Sequence, residues 1–425
     1  MKRPAIAARA AFGAVFLATL GFGAVEAAEK PVVIGYQMDY EKLITIGPAM
    51  GAGMHDYIKV FEKQGGTIEG IPIKFVECDN GYDVNRTLEC YQRQKMEGIV
   101  TLSTFGTPHT NAIAPKLLED KIPATSPGFG RADSADGKRF PYLFPAAASY
   151  WSQATAAIQY IQEKEGDKIK GLKIAYLYYD NPAGKEPIPI LEVLSQKIGF
   201  ELRTFGVPAP GVEMGAQVTD ITSRYRANWV VGHMFGRAPS VSFKELARKG
   251  FPLDHYIGLV WNTCESDIIA AGKEESKGLL SIQFTGLGHD FPIHKDIQAI
   301  YEAEKKPLPE GWNITGYYNR GIFFIALQVE AVRNAIKLFG PPITGEKVKK
   351  GYENIKNYTL GGFLPPMEIT PEDHEGGGWV RVYQWDGGKF VLAKDWFKAH
   401  RDVIQAQLTV LAKEEAASEK KEEKK

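Results

Sequence analysis

GIVTLSTFGTPHTNAIAP, residues 98–115, decides the fold. It opens on a short apolar, β-branched run, Ile99-Val100-Thr101-Leu102, of the kind that fills a parallel strand buried on both faces. Small polar residues follow (Ser103, Thr104, Gly106, Thr107), then Pro108 at the head of a helical pattern with Ile113, Leu117 and Leu118 along one side. Proline is tolerated in a first helical turn because the amide hydrogen it lacks would be unpaired there. Strand, hydroxyl-rich turn and helix N-terminus together put free N–H groups, hydroxyl donors and the positive end of a helix dipole in one place. Such a place holds a carboxylate or another polar oxygen without a formal cation. An ordinary strand-to-helix connection has the same pattern, so the surrounding segments decide between the two.

Those segments repeat the alternation. Residues 31–36 (PVVIGY) read as strand. Residues 47–64 read as a helix with Met50, Met54, Tyr57, Ile58 and Phe61 at helical spacing, ended by Gly65-Gly66. Strand 71–76, helix 84–96 and a strand from Ile122 into a Ser/Gly loop complete β-α-β-α-β-α-β, which predicts a parallel doubly wound sheet. Ligands of such sheets lie outside the carboxyl ends of the strands, where strand order reverses. Loops 36–46, 103–107 and 126–131 are expected on that edge. Beyond residue 145 the pattern starts again, with strands at 173–179 (KIAYLYY), 201–207, 229–232, 255–260 and 278–284 between helical segments. A chain of 425 residues is too long for one simple core. The expected class is therefore α/β, with two doubly wound parallel-sheet lobes. An amphipathic helix over 317–338 and a hairpin at 381–392 with an Asp-Gly-Gly turn follow. From Lys413 the sequence KEEAASEKKEEKK reads as a solvated tail.

The first residues set the compartment. Lys2, Arg3 and Arg9 precede an apolar run over 10–25 that is short for a membrane span, and Val25-Glu26-Ala27 has small residues at cleavage spacing. A signal peptide over 1–27, cut after Ala27 or Ala28, is expected; a membrane anchor is the alternative. What remains carries 48 basic and 50 acidic residues, net −2, which gives no reason to propose nucleic acid or an anionic membrane as partner. In an oxidising compartment, Cys78 and Cys90 of ECDNGYDVNRTLEC predict a disulfide stapling a strand end to the next helix. Closing that loop stabilises by roughly 3 kcal/mol. Cys264 is left over and expected to be buried. There is no CxxC pair and the eight His are scattered, so neither a metal nor a cofactor is expected. An exported hydrolase would need a nucleophile with its base; no GxSxG or HExxH occurs, and Ser103 and His109 have no marked third partner.

The VVIGY strand, EKQGGTIEGIPIKFVECDN, TFGTPHTNAIAPKLLEDKIPATSPG, FKELARKGF, LGGFLPPMEIT and VRVYQWDGGKF stand in a telling order and spacing. Over nearly the whole chain after the leader, they resemble the periplasmic substrate-binding proteins of ABC importers, of the leucine/isoleucine/valine-binding type. The resemblance implies two lobes joined by three hinge crossings, near 144–148, 275–284 and 358–366, that close on a ligand in the cleft. Lobe 1 is then expected at 28–146 plus 280–360, lobe 2 at 147–279 plus 361–400, and a charged tail at 401–425. It also implies a periplasmic monomer without enzymatic activity, whose partners are a small-molecule ligand and an ABC transporter permease in the inner membrane. A ligand-sensing subunit of a membrane receptor would need the same closing lobes.

Carried over by position, the resemblance assigns the ligand's carboxylate to Thr104, Phe105, Gly106 and Thr107 and to Ser126, Gly128 and Phe129. Tyr40 stands in the opening loop. The second lobe supplies Asp180, His233, Phe235, Val260 and Trp261. Amino-acid binders of this type place an acid in the last of these loops, against the ligand's ammonium. Here it reads Leu259-Val260-Trp261-Asn262, with no acid until Glu265; Asp39 and Asp180 are the nearest acids in the other loops. A buried ammonium without a partner costs several kcal/mol, so an α-amino acid is disfavoured. Tyr36, Tyr40, Phe105, Phe129, Phe235 and Trp261 point instead to an aromatic or otherwise apolar acid, with Arg131 or Lys185 as countercharge. Packing at a lobe edge would account for any one of these rings equally well.

Overall fold

The computed structural model describes Met1, residues 30–40 and residues 46–422. Met1 apart, the expected signal peptide over 1–27 lies outside the described residues, as do residues 41–45 of the first edge loop. Among the described residues, no helix is long and apolar enough to cross a membrane.

Two sheets form. The first contains β1 (Val32–Met38), β2 (Thr67–Ile68), β3 (Ile71–Asp79), β4 (Ile99–Ser103), β5 (Ala124–Thr125) and β6 (Leu143–Phe144), in the spatial order β2-β3-β1-β4-β5-β6. Every pair is parallel except the small β2–β3 hairpin. β1 and β4 are buried at every residue, which is why their sequences are near-continuous apolar runs. The second sheet contains β7 (Lys173–Tyr179), β8 (Glu201–Val207), β9 (Trp229–His233), β10 (Tyr256–Gly258), β11 (Leu280–Gln283), β12 (Val380–Trp385) and β13 (Phe390–Phe397). Its order is β13-β12-β11-β10-β9-β7-β8, parallel from β11 to β8, with β12 and β13 an antiparallel hairpin at one edge. Asp386 turns that hairpin, its carboxylate accepting the N–H groups of Gly388 and Lys389 at 2.8 Å each. Strand order reverses between β1 and β4 in the first sheet and between β7 and β9 in the second. The two doubly wound lobes of the expected class are present.

The chain passes between the lobes three times. It leaves β6 for the helix Tyr150–Glu165, and leaves β11 for the helix Pro292–Glu304, which packs on the first lobe. The long helix Thr315–Phe339 lies in the first lobe against the helix Gly47–Lys63, so closely that a Cβ on Gly321 would sit 1.9 Å from the Met50 carbonyl oxygen. Two expected boundaries need correction. Residues 280–283, assigned to lobe 1, are β11 of the second sheet, because Ile257 and Gly258 pair with Leu280 and Ser281. The third passage comes later than 358–366: residues 355–369 first fold back on themselves through a Lys356–Glu368 bridge and an Asn357 N–H bond to the Met367 carbonyl. Residues 373–379 then run beside the first passage, with the His374 N–H on the Ala135 carbonyl and the Ser149 N–H on Glu375.

The expected charged tail is also corrected. Residues 401–422 are helical, and their first turns dock on the second lobe through buried Val403, Ile404 and Leu408. Arg401 anchors them with an ion pair to the buried Glu375 and a 3.2 Å contact to Asp373. The apolar residues before Lys413 outweigh the Lys/Glu run after it. Cys78 and Cys90 are bonded as expected, with Cα atoms 5.7 Å apart, and Cys264 is buried.

Candidate functional site

The turn after β4 is built by its hydroxyls. Thr104 Oγ1 meets Thr110 Oγ1 at 2.7 Å, and Thr110 donates to the Gly106 carbonyl at 2.9 Å, which closes the turn into the helix Thr107–Asp120. Gly106 has φ +100°, and a Cβ there would meet the His109 ring at 2.3 Å and the Tyr82 ring at 2.9 Å. Thr107 Oγ1 accepts the Gly130 N–H at 3.0 Å and so ties this turn to the loop after β5. That loop carries Phe129, edge-on to Phe105 at 5.4 Å between ring centres.

The second lobe meets this surface from the other side. Phe129 stacks on Trp261 at 5.0 Å with 10° between planes, and Trp261 Nε1 donates to the Gly128 carbonyl at 2.5 Å. Phe235, in the loop after β9, lies edge-on to Tyr179 at 4.8 Å and against Tyr82 of the first lobe at 6.3 Å. Tyr150, at the start of its helix, packs on His233 at 4.3 Å, and His233 Nδ1 lies 3.1 Å from the Tyr176 hydroxyl. Burial drives the His233 pKa down to about 3 and that of His109 below the usual imidazole range, so both rings are neutral at ordinary pH.

Between the lobes these side chains leave a cavity of about 20 Å³, lined by Ile46, Tyr82, Phe105, Thr107, Phe129, Tyr150, Ala183, Phe235 and Trp261. None of these described residues is acidic. The hydroxyl-bearing residues of its wall are Tyr82, Thr107 and Tyr150, the last with its phenol turned toward Thr107 and Trp261, while the Trp261 N–H is taken up by the Gly128 carbonyl. The lobes are therefore closed, with room for about one water. A second, open cavity of about 340 Å³ lies outside, shares Thr107, and is lined by Arg131, Lys185 and Glu186 among others. Glu186, on the second lobe, accepts the Ala132 N–H of the first at 2.7 Å. Burial pushes its pKa up to about 8.

Of the residues singled out from sequence, Phe105, Thr107, Phe129, Phe235 and Trp261 line the inner cavity. Gly128 borders it through its carbonyl, and His233 stands behind Tyr150. Thr104, Gly106 and Ser126 are buried in the turns that shape it. Val260 is buried, its N–H on Gln153 Oε1 and its carbonyl on Arg320. Tyr40 is not brought in: its hydroxyl donates to Glu77 and its ring stacks on His55. Asp180 is not brought in either, since it pairs with Lys185 at 2.6 Å on the surface, and Arg131 pairs with Asp133 at 2.8 Å. Sequence reasoning missed Tyr82, Tyr150 and Glu186. Tyr82 lies in the Gly81-Tyr82 turn after β3, another carboxyl-end loop on the same edge, and Tyr150 opens the first helix after the first crossing. Both positions were available as signals.

Two α/β lobes closed over a cavity at the switch points of both sheets define a type I periplasmic binding protein fold. A sequence model of the family described as "Periplasmic binding protein" matches residues 42–389, and the chain belongs to that family. A solved structure from the Pseudomonas fluorescens group, described as an ABC transporter permease, is 33% identical; the match covers 91% of this chain and 98% of that one, with a TM-score of 0.83. A branched-chain amino acid ABC transporter protein from Thermus thermophilus with bound valine is 20% identical over 89% and 99% of the two chains, TM-score 0.75. A solute-binding protein of an ABC transporter from R. palustris, in complex with 4-hydroxybenzoate, is 17% identical over 87% and 98%, TM-score 0.70. No curated protein matches in sequence.

Proposed function

We propose that this protein is an extracytoplasmic solute-binding protein that captures a small carboxylate-bearing ligand, an aromatic acid before an amino acid, and delivers it to an ABC importer. The observation that carries the reading is the lining of the cavity between the lobes: six aromatic rings, hydroxyl donors, and no acid among the described residues. Rings from both lobes present flat faces to a planar apolar body, while Thr107 and Tyr150 donate to a carboxylate. Among the described residues, that wall offers an ammonium no anionic partner. The lobes part to admit the ligand, and the closed form is selected because only it makes both sets of contacts. The closed shape is then what the permease reads. Structures of similar fold were solved with valine and with 4-hydroxybenzoate bound, which makes an amino acid and an aromatic acid the two readings to separate.

The test is a thermal-shift screen after partial unfolding and dialysis to strip carried-over ligand, with benzoate, 4-hydroxybenzoate, leucine, valine, short fatty acids and small amides. A ligand at a hundred times its Kd stabilises the native state by about 2.7 kcal/mol. Aromatic acids are expected to raise the melting temperature and leucine to leave it unchanged. A strong leucine shift with none from aromatic acids overturns the aromatic reading in favour of an amino-acid binder.

A further inference from the structure

Arg320 is the charge that the cleft's architecture leaves unmatched. It stands on the helix Thr315–Phe339, is wholly buried, and reaches across to the second lobe. There Nη2 donates to the Val260 carbonyl at 2.5 Å and to Gln283 Oε1 at 2.6 Å. Its Nε and Nη1 have no hydrogen-bond partner, and among the described residues no carboxylate stands at ion-pair distance from it. A guanidinium does not lose its proton in a protein, so this is a permanent buried cation, and a costly one. It lies 4.6 Å from the centre of the Trp261 ring, which is part of the cavity wall.

We infer that Arg320 is the anion-selecting residue of the cleft: from behind Trp261, its unmatched charge favours a ligand carboxylate at Thr107 and Tyr150 over a neutral ligand of the same shape. This rests on the function proposed above and supplies what the cavity wall lacks, a countercharge. In a water-poor interior a unit charge acts across several ångströms with little screening. Two acids of the second lobe, Asp267 and Glu265, share its neighbourhood without pairing with it. Asp267 accepts the Cys264 N–H at 3.0 Å, and burial raises its pKa to about 8, so it is mostly neutral near pH 7. Glu265 is engaged with the N-terminus of Arg320's own helix, where it accepts the Gly316 N–H at 3.0 Å and the Thr315 hydroxyl.

The experiment is calorimetric titration of the full chain with benzoate and with its neutral counterpart benzamide, for wild type, Arg320→Met and Arg320→Lys. Benzoate is expected to bind wild type more tightly than benzamide. In R320M benzoate affinity should fall at least about tenfold with benzamide unchanged, while R320K keeps most of the preference. An R320M variant that weakens both ligands equally, or neither, assigns Arg320 a packing role and overturns the inference. Should R320M fail to fold, R320K decides: a preference lost although the charge is retained also overturns it. A wild type that binds no carboxylate overturns the proposed function and this inference together. A binding wild type whose benzoate-to-benzamide ratio survives R320M overturns this inference alone.

Discussion

Glu186 makes ligand capture pH-dependent, with a sign the structure fixes. Its carboxyl reaches from the second lobe to the Ala132 N–H of the first at 2.7 Å, and a Cβ on Gly130 would fall 1.8 Å from its other oxygen. Burial raises its pKa from the ordinary 4.5 to about 8 and Asp133 adds to the rise, while the Ala132 bond and Arg131 oppose it. When the lobes part, the group meets water and returns toward 4.5. The closed form thus binds a proton more tightly than the open form, and closure takes one up. That contribution is complete below about pH 4.5 and is lost as pH rises through 8. The ceiling is tenfold per pH unit. Glu186 keeps partial solvent exposure, so about three- to fivefold loss of affinity per unit between pH 5.5 and 8, and a plateau above, is the working expectation. His233 and His109, both held neutral, contribute no slope in this window. The assay is calorimetric titration with benzoate across that range, in two buffers of different ionisation enthalpy, so that proton uptake is read directly. Glu186→Gln keeps an acceptor for Ala132 and should bind with a flat pH profile from 5.5 to about 7, above which only Asp267, whose pKa is also about 8, titrates beside Arg320. Wild-type affinity that is flat or rises with pH, or a Gln variant that keeps the slope, refutes the reasoning.

Two stability predictions follow from the covalent and ionic ties. Cys78→Ser opens the 78–90 loop and should cost about 3 kcal/mol, lowering the melting temperature by several degrees without changing ligand preference; an unmoved melting temperature would mean the bond is absent in solution. Arg401→Ala leaves the buried Glu375 without its cation and should cost about 2–3 kcal/mol in urea unfolding, whereas truncation after residue 412 should cost little. The reverse order of effects would show that the Lys/Glu run, and not the docked first turns, holds this helix.

How far the sequence could be read follows from what each signal depends on. β1 and β4 were legible because a parallel strand covered on both faces requires a near-continuous apolar run, and VVIGYQM and IVTLS have no other stable placement. The edge on which the first-lobe loops open follows from topology, which is enough to put Phe105, Thr107 and Phe129 there, whereas Phe235 and Trp261 of the second lobe were placed by the family resemblance. Which side chain of a loop turns inward is a different kind of fact, decided by contacts between segments far apart in the chain. Tyr40 is drawn off by Glu77, thirty-seven residues on, and Asp180 by Lys185. Arg320 is the instructive miss. In TGYYNRGIFFIAL it is the one cation of an apolar helical run, a position where a charge is expensive unless something far away uses it. Periodicity marks that helix as core and gives no account of the arginine; only the approach of β11 and the Val260 loop, from the other lobe, shows what its guanidinium faces. The residues that periodicity leaves unaccounted for, the buried cation Arg320 and the inter-lobe Glu186, are the two charged side chains that reach from one lobe to the other, and a search for function in a two-lobed chain gains most by starting from them.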